Sequence, residues 1–341
     1  MVQGHTIHVL LSQDLRTTEL PVYAIWYFMR GMTAPIFMFS AGTVFIYLFR
    51  SVKKPFNQNY RVKKGIKRAA LLIFLGYMLR YPTWTIFDFS KVSDESIRSF
   101  FAVDVLQLIG FSLLILLLIL LVTEKLKLNY TGAFIVTATF FLLSSPFIEN
   151  INWSDFLPLP LAAYFYSGLD SFFPLFPWAG YVIAGGVLGN YLAENPMVFK
   201  TSRFSLLFAI FGGAFFLVAM FSELLLQEFQ IQIRNPQTTP HVIFFRVGFV
   251  FMLTSLVSFI SIRIEKIPYF LILVGRNTLL IYIVHLIILY GSAWTPGVNI
   301  LWGYSFSGWQ SFVAALIMIT LMTFVVLIIH RLKIRNKELV T

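Results

Sequence analysis

A chain of 341 residues that is 58% hydrophobic and only 12% charged is too apolar for a water-soluble protein, and its mean hydropathy of +0.80 indicates a membrane protein. The net charge of +11 does not indicate nucleic-acid binding, because the basic residues lie between apolar runs such as "FSLLILLLILLV". The absence of cysteine excludes disulfides and thiolate metal sites. The sequence also lacks a phosphate-binding glycine loop, a metal-ligand pair at i, i+4 and a nucleophile elbow.

The opening segment "MVQGHTIHVLL" is typical of the outer half of a membrane helix, and it carries a histidine. It is too short to cross a hydrocarbon core of about 30 Å. We therefore expect residues 1–13 to be the remnant of a truncated first transmembrane helix, in a chain that begins at an internal methionine.

Nine further segments are long and apolar enough to predict transmembrane helices, because a segment in lipid must satisfy its own backbone hydrogen bonds. They are residues 34–49, 69–85, 101–122, 130–147, 173–192, 204–226, 242–262, 269–290 and 312–330. No internal repeat, low-complexity tract or soluble domain interrupts them. The sequence therefore predicts one all-α integral membrane domain over residues 1–341, a polytopic transmembrane helix bundle with about nine complete spans plus the truncated first helix.

Lysine and arginine gather in every second connection between these segments, and such connections lie in the cytoplasm. The first of them, residues 50–68, carries eight basic residues and no acidic residue. The intervening connections carry the acidic residues, and the C-terminal tail is basic again. We therefore expect a cytoplasmic C terminus and an opening helix that runs outward, with His5 in its outer half.

Ionisable residues inside apolar spans predict the functional site, because each costs about 2.5 to 3.5 kcal/mol at the middle of a helix. At about 1.5 Å of rise per residue, His5, His285 and Arg246 fall at a similar depth below the outer surface. Arg276 and Asn277 fall in the inner half. Nearer the outer rim lie Asp104, Arg80, Arg30 and Trp178.

A neutral imidazole in this layer can act as a general base near neutral pH, or can itself be acylated. An arginine at the same depth can hold an anionic or carbonyl oxygen. Each residue also has a structural interpretation: His285 as a hydrogen-bonded packing residue, and Asp104 with Arg246 as an ion pair. These residues predict an intramembrane site with a histidine and name no substrate.

Five motifs then point to a family by their order and spacing. They are "MVQGH", "MRGMTAPIFMFSAG", "DVLQLIGFSLL", "FPLFPWAGYVIAGGVLG" and "VGRNTLLIYIVHL". Together they span nearly the whole chain and resemble the bacterial relatives of heparan-alpha-glucosaminide N-acetyltransferase, within the wider acyltransferase-3-like superfamily. The resemblance implies a multi-pass protein of the bacterial cytoplasmic (inner) membrane that moves an acetyl group from cytoplasmic acetyl-CoA to a sugar on the far side.

The resemblance also implies roles for individual residues. His5 matches the catalytic histidine, and the recurrent polar positions of later helices are matched by Asp104, Gln107, Trp178, Arg276, Asn277 and His285. The sequence departs from the family at its start, because the "D-x-x-R-G" stretch that usually precedes the histidine is absent.

We expect acetyl-CoA, as co-substrate, to bind on the cytoplasmic side, because its phosphates are strongly anionic and the dense cationic surface lies there. The residues expected to bind it are Arg276, Asn277, Lys64, Lys67 and Arg68. The residues expected to bind the acceptor are Asp104, Gln107, Trp178, Arg246 and Arg80. His5 is expected to carry the transfer, with His285 as its rival, and no metal is expected.

The predicted function is therefore that of a membrane acyltransferase acting through an intramembrane histidine site. Its expected partners are membrane lipid and an extracytoplasmic glycan or glycolipid acceptor, with no nucleic acid; the oligomeric state stays open. The alternative is a small-molecule or lipid transporter or flippase with the same polar layer. A purely structural membrane subunit ranks third, because it needs no ionisable residues at one depth.

Overall fold

A computed structural model describes residues 1–90, 92–231 and 233–338 of the chain. The prediction of a helical protein is confirmed, since 76% of the described residues are in helices and 2% are in strands. In chain order the α-helices of the described part are α1 (Val2–Leu10), α2 (Pro21–Arg50), α3 (Tyr60–Leu79), α4 (Asp94–Phe101), α5 (Val105–Lys125), α6 (Tyr130–Leu143), α7 (Ser145–Glu149), α8 (Leu159–Ala162), α9 (Leu175–Glu194), α10 (Ser202–Glu228), α11 (Pro240–Arg263), α12 (Tyr269–Arg276), α13 (Thr278–Tyr290), α14 (Val298–Trp302) and α15 (Gly308–Glu338). Two short strands, β1 (Gly291–Ser292) and β2 (Thr295–Pro296), form an antiparallel pair.

Five helices of the described part are long and apolar enough to cross a membrane: α2, α5, α10, α11 and α15. The bent pair of α12 and α13 adds a sixth if it is counted as one span. The expected count of nine complete spans is therefore not confirmed. Helix α6 is apolar but only 14 residues long, α3 begins with basic residues, and α9 is rich in glycine. These features fit a multi-pass membrane protein whose helices differ widely in length.

The segment 269–290, expected to be one uninterrupted helix, is broken in the structure. Helix α12 ends at Arg276, α13 begins at Thr278, and the two axes are bent by 69°. At the break, the Nδ2 of the Asn277 side chain donates a hydrogen bond of 2.8 Å to the carbonyl of Leu273 in α12. An asparagine side chain competes with the backbone in this way, and the predicted site residues Arg276 and Asn277 therefore lie at a kink.

The chain forms two compact units. The terminal unit comprises Met1–Thr33, Leu79–Phe89 and Ile264–Thr341, and the central unit comprises Ala34–Met78 and Ser90–Arg263.

The core of the terminal unit is built around the short helix α1. Val9 and Leu10 of α1 are buried together with Leu273, Ile281 and Leu289 of α12 and α13 and with methionines of α15. The residues that follow α1 are tied to the segment before α15. Ser12 N donates to Phe306 O at 2.9 Å, and Phe306 N donates to Leu10 O at 2.9 Å. Packing on one side and backbone hydrogen bonds on the other therefore fix the helix that carries His5.

In the central unit, α2 and α9 meet through their backbones. A Cβ atom on Gly185 would lie 2.0 Å from the carbonyl oxygen of Phe39, so only glycine permits this approach. The hydroxyl of Thr43 donates to the carbonyl of Gly185 at 3.0 Å across the same contact. Small residues that allow such contacts are typical of helix pairs in membranes, where apolar burial alone does not drive association.

We expect Gly185→Ala to lower the stability of the folded protein by about 1 to 3 kcal/mol, because the added methyl group forces α2 and α9 apart. The matched control is Gly213→Ala in α10, where an added Cβ meets no atom within 4 Å. That variant is expected to be neutral or slightly stabilising, since alanine is the better helix former. Thermal unfolding of both variants in detergent provides the measurement, and equal melting temperatures would contradict the close approach.

Candidate functional site

The two histidines predicted to share one depth lie side by side in the terminal unit. His5 comes from α1 and His285 from α13, and their ring centroids are 5.3 Å apart with the planes tilted by 55°. The rings of Tyr282 and Tyr290 contact His5 edge-on, at 6.3 and 5.9 Å. Two histidines and two tyrosines from two helices therefore form one cluster, which we call the histidine cluster.

His285 is fully buried and has one nitrogen bonded to the backbone of its own helix. Its Nδ1 lies 2.6 Å from the carbonyl oxygen of Ile281. A carbonyl only accepts hydrogen bonds, so Nδ1 carries the proton and Nε2 of the neutral ring carries the lone pair. That Nε2 is buried and has no hydrogen-bond partner among the described residues. His285 therefore presents an unsatisfied basic nitrogen inside the unit.

His5 is the more accessible of the pair, and it is oriented by a tyrosine. Its ring is partly exposed, and its Nδ1 lies 3.3 Å from the hydroxyl of Tyr290. Helix α1 is also joined to α2 here, because the indole N–H of Trp26 donates to Gln3 at 2.8 Å. Sequence reasoning missed Tyr290, Gln3 and Trp26, since only the folded backbone brings these residues to His5.

In the central unit, two of the residues predicted to bind the acceptor lie in contact. The guanidinium of Arg246 lies over the indole ring of Trp178, 4.9 Å from its centroid, and these residues are only 5% and 6% exposed. Arg246 also donates hydrogen bonds to the backbone carbonyl of Gln237, at 3.3 Å, and to its side-chain amide oxygen. The ring and the dipoles of Gln237 thus stabilise the buried cation.

This arginine site keeps unused hydrogen-bonding capacity. The Nε of Arg246 and the hydroxyl of Tyr181 are both buried and form no hydrogen bond of standard geometry in the part of the chain that the structure describes, although the two side chains interact with each other. A guanidinium donates several hydrogen bonds in a fixed fork, and phosphate or carboxylate oxygens match it. The arrangement is therefore chemically suited to an anionic or carbonyl oxygen.

Asp104 and Gln107 occupy the start of α5 rather than its interior. The carboxylate of Asp104 accepts a hydrogen bond from Val105 N at 2.8 Å, and Asp104 N donates to Gln107 Oε1 at 3.3 Å. This reciprocal arrangement is a capping box, which satisfies backbone donors at a helix start. Gln107 is fully buried, and its Nε2 has no partner among the described residues. The two residues thus shape the entry of the helix, and their contact with an acceptor stays a prediction.

The remaining predicted residues are divided between the units. Lys64, Lys67 and Arg68 lie on α3 in the central unit, where Lys67 lines an open groove of about 570 Å³ beside the turn at Phe56–Gln58. Arg276 and Asn277 lie at the kink of the terminal unit. Arg80 belongs to the terminal unit, directly after α3. The assignment of Arg80 to the acceptor and of the other residues to acyl-CoA stays a prediction.

The contact of Arg246 with Trp178 predicts a measurable loss on a conservative change. We expect Arg246→Lys to lower the free energy of unfolding by about 2 kcal/mol, because a buried cation–π contact and two hydrogen bonds are lost. The control is Arg263→Lys, since Arg263 is exposed and lies over Phe259 at 4.0 Å. An exposed contact of this kind contributes about 0.5 to 1 kcal/mol. Thermal unfolding in detergent measures both variants, and an equally small loss in the two would contradict the buried contact.

Comparison with known proteins adds one finding. The family model described as heparan-alpha-glucosaminide N-acetyltransferase, catalytic, matches residues 1–214, which is more than half of the chain. His5, Asp104, Gln107 and Trp178 lie within the matched part, whereas Arg246 and His285 lie beyond it. No curated protein and no solved structure matches the chain.

Proposed function

Because the chain belongs to the family of heparan-alpha-glucosaminide N-acetyltransferase catalytic domains, we propose that it transfers an acetyl group from cytoplasmic acyl-CoA to an extracytoplasmic sugar or glycolipid. The family gives the coarse activity, membrane acetyl transfer. The five apolar helices of the described part are consistent with it. The proposal includes the donor, the acceptor, the histidine site and the function of the chain as one integral domain.

The histidine cluster is the observation that carries the mechanism. An acceptor hydroxyl or amine must lose a proton as its oxygen or nitrogen attacks the acetyl carbonyl. The carbon–sulfur bond of acetyl-CoA then breaks, the acetylated acceptor is released, and the thiolate of CoA takes up a proton. A partly exposed histidine beside this carbonyl can accept the acceptor's proton and pass it to the leaving thiolate.

His5 fits this role better than His285. When Nδ1–H of His5 donates to the oxygen of Tyr290, its Nε2 is left as the basic nitrogen. The tyrosine thereby holds the ring in one orientation, as residues behind a catalytic histidine commonly do. His285 is fully enclosed, and its ring lies 5.3 Å from the ring of His5 between centroids. We assign His285 to positioning His5 and His5 to the proton transfer.

The acyl-CoA is proposed to bind through the cationic residues on the cytoplasmic side. Lys64, Lys67 and Arg68 lie on one helix, Lys67 lines an open groove, and phosphates bind cationic surfaces strongly. In the terminal unit, Arg276 and Asn277 are proposed as acyl-CoA-binding residues in their own right. The kink at these two residues supports this role, because broken helices expose backbone groups to a bound anion or cavity.

The acceptor is proposed to contact the arginine site of the central unit and its neighbours. Arg246 lies over Trp178 with its Nε lacking a hydrogen-bond partner, and Asp104 and Gln107 of the same unit are proposed to bind the acceptor as well. In the terminal unit, Arg80 is proposed as an acceptor-binding residue in its own right. An amino sugar, as in the family's description, and a sugar hydroxyl are supported equally as acceptors, since a base can activate either group.

A transporter or flippase is the second candidate, and one observation favours it. Helices α12 and α13 are broken by 69° next to polar residues, and discontinuous helices are typical of substrate sites in transporters. The two functions differ in their product. A transferase leaves an acetylated acceptor and free CoA, whereas a transporter moves its substrate unchanged.

Replacement of each histidine tests the proposed mechanism. We expect His5→Ala in the full chain to lower acetyl transfer by about 10² to 10⁴, the usual contribution of a general base, with little change in thermal stability. His285→Ala is expected to lower turnover less. The control is His330→Ala, because His330 forms a similar pair with Tyr269, 3.0 Å between Nε2 and the hydroxyl, away from the cluster.

The measurement is transfer of labelled acetyl from acetyl-CoA to extracted glycans and lipids. Near-normal turnover in His5→Ala beside an inactive His285→Ala would reverse the two roles. Activity in both variants would refute the intramembrane-histidine mechanism.

A further inference from the structure

A short hairpin in the terminal unit begins directly after the tyrosine that contacts His5. Gly291 follows Tyr290 with a φ of +81°, and a Cβ on Gly291 would lie 2.6 Å from Thr295 O. Gly297 closes the hairpin so tightly that its own Cβ would lie 2.4 Å from the backbone of Tyr290. Only glycine suits these two positions. The hairpin therefore has a fixed position relative to the histidine cluster.

The turn of the hairpin carries Trp294, which packs on the segment 79–89 of the same unit. Its ring stacks on Tyr81 with centroids 5.7 Å apart and planes only 12° from parallel. Its indole N–H donates to the backbone carbonyl of Trp84 at 3.0 Å. Trp294 nevertheless stays 50% exposed, and Trp84 is 75% exposed. We call Tyr81, Trp84 and Trp294 the aromatic platform.

Hydroxyl-bearing residues flank the platform residues in the sequence, Thr83 and Thr85 on either side of Trp84 and Ser292 and Thr295 near Trp294. Thr83 and Thr85 form one hydroxyl pair at 3.0 Å, and Ser292 and Thr295 form another at 2.9 Å. Each hydroxyl can both donate and accept hydrogen bonds. Flat aromatic faces with hydroxyl groups at their edge are suited to a ligand that is apolar on one face and rich in hydroxyls at its rim.

A pyranose ring is such a ligand. Its C–H groups on one face pack on the negative face of an aromatic ring, and its hydroxyls point outward to polar neighbours. We propose that the aromatic platform binds a sugar ring of the acceptor and brings its reactive group to His5. The inference rests on the proposed function for the site that it serves, and it adds the subsite and the ligand class, a carbohydrate ring.

An interfacial aromatic belt is the alternative explanation for exposed tryptophans in a membrane protein. In such a belt the indole N–H groups face the polar headgroups as separate anchors. Here the N–H of Trp294 is bound by Trp84 O, and its ring is held parallel to a second ring. The polar end of Trp294 is thus used within the protein, while half of this residue stays exposed, four residues after Tyr290 of the histidine cluster.

Binding of oligosaccharides to the full chain in detergent tests the platform directly. The probes are maltotetraose and a glucosamine tetrasaccharide, titrated by calorimetry without acyl-CoA. We expect Trp294→Ala to weaken binding about tenfold, as the loss of one aromatic stacking contact does. Trp294→Phe should retain most of the affinity, because it keeps a ring on Tyr81. The matched control is Trp309→Ala, since Trp309 is 71% exposed and stacks on Phe312 in the same unit.

If Trp294→Ala fails to fold, sugar binding by Trp84→Ala tests the platform instead. The bond to Trp294 uses the backbone oxygen of residue 84, so the hairpin keeps this contact when the Trp84 side chain is removed. Weaker binding in either variant, with unchanged binding in Trp309→Ala, supports the platform. The proposal is overturned if the platform variants bind as the wild type does, or if Trp309→Ala loses as much affinity as they do. It is also overturned if the wild-type chain binds neither probe. A wild-type chain that binds sugar but transfers no acetyl group contradicts the proposed function alone.

Discussion

The hydrogen bond from His285 to the carbonyl of Ile281 is the interaction on which the candidate site depends. Inside an apolar helix bundle, a polar atom without a partner is costly, so one nitrogen of the ring is bound by the backbone of its own helix. That bond places the proton on Nδ1 and leaves Nε2 as the basic atom of a ring that neighbours His5. The protein keeps one unsatisfied nitrogen at the place where proton transfer is proposed, and such exceptions commonly mark functional sites.

The packing of the terminal unit also fixes the position of His5. Helix α1 is short, and its place depends on the packing of Val9 and Leu10 and on backbone bonds to Phe306. Tyr290 completes the cluster from the last residue of α13, and the chain then turns sharply at Gly291. Helix α13, which carries His285 and Tyr290, is therefore followed directly by the hairpin that carries Trp294 of the aromatic platform. In the central unit the buried Arg246 is stabilised differently, by an aromatic ring and an amide rather than by a carboxylate.

Much of this could be predicted from the sequence, and the failures have physical causes. Apolar runs predicted helices at all nine segments, and depth counted along the helices predicted one layer for His5, His285 and Arg246 but not which of these residues are in contact. The number of complete spans was not confirmed, because length and composition do not reveal where a helix such as α6 ends or α13 bends. Asp104 was predicted to lie inside a span, but an aspartate followed three residues later by glutamine also forms a capping box, and the structure places it there. Tyr290 and Trp294 could not be recognised, since their significance depends on contacts with residues distant in the chain.

Transfer across a sealed membrane tests the central claim most directly. The full chain is reconstituted in liposomes, and the orientation of each population is determined by protease access to residues 50–68. Labelled acetyl-CoA is supplied only on the side that exposes these residues, and amine- and hydroxyl-bearing oligosaccharides are enclosed on the other side. The account predicts labelled oligosaccharide inside and free CoA outside, without entry of acetyl-CoA. Two results would contradict the account. One is labelled product only when donor and acceptor are on the same side, and the other is no product in either orientation.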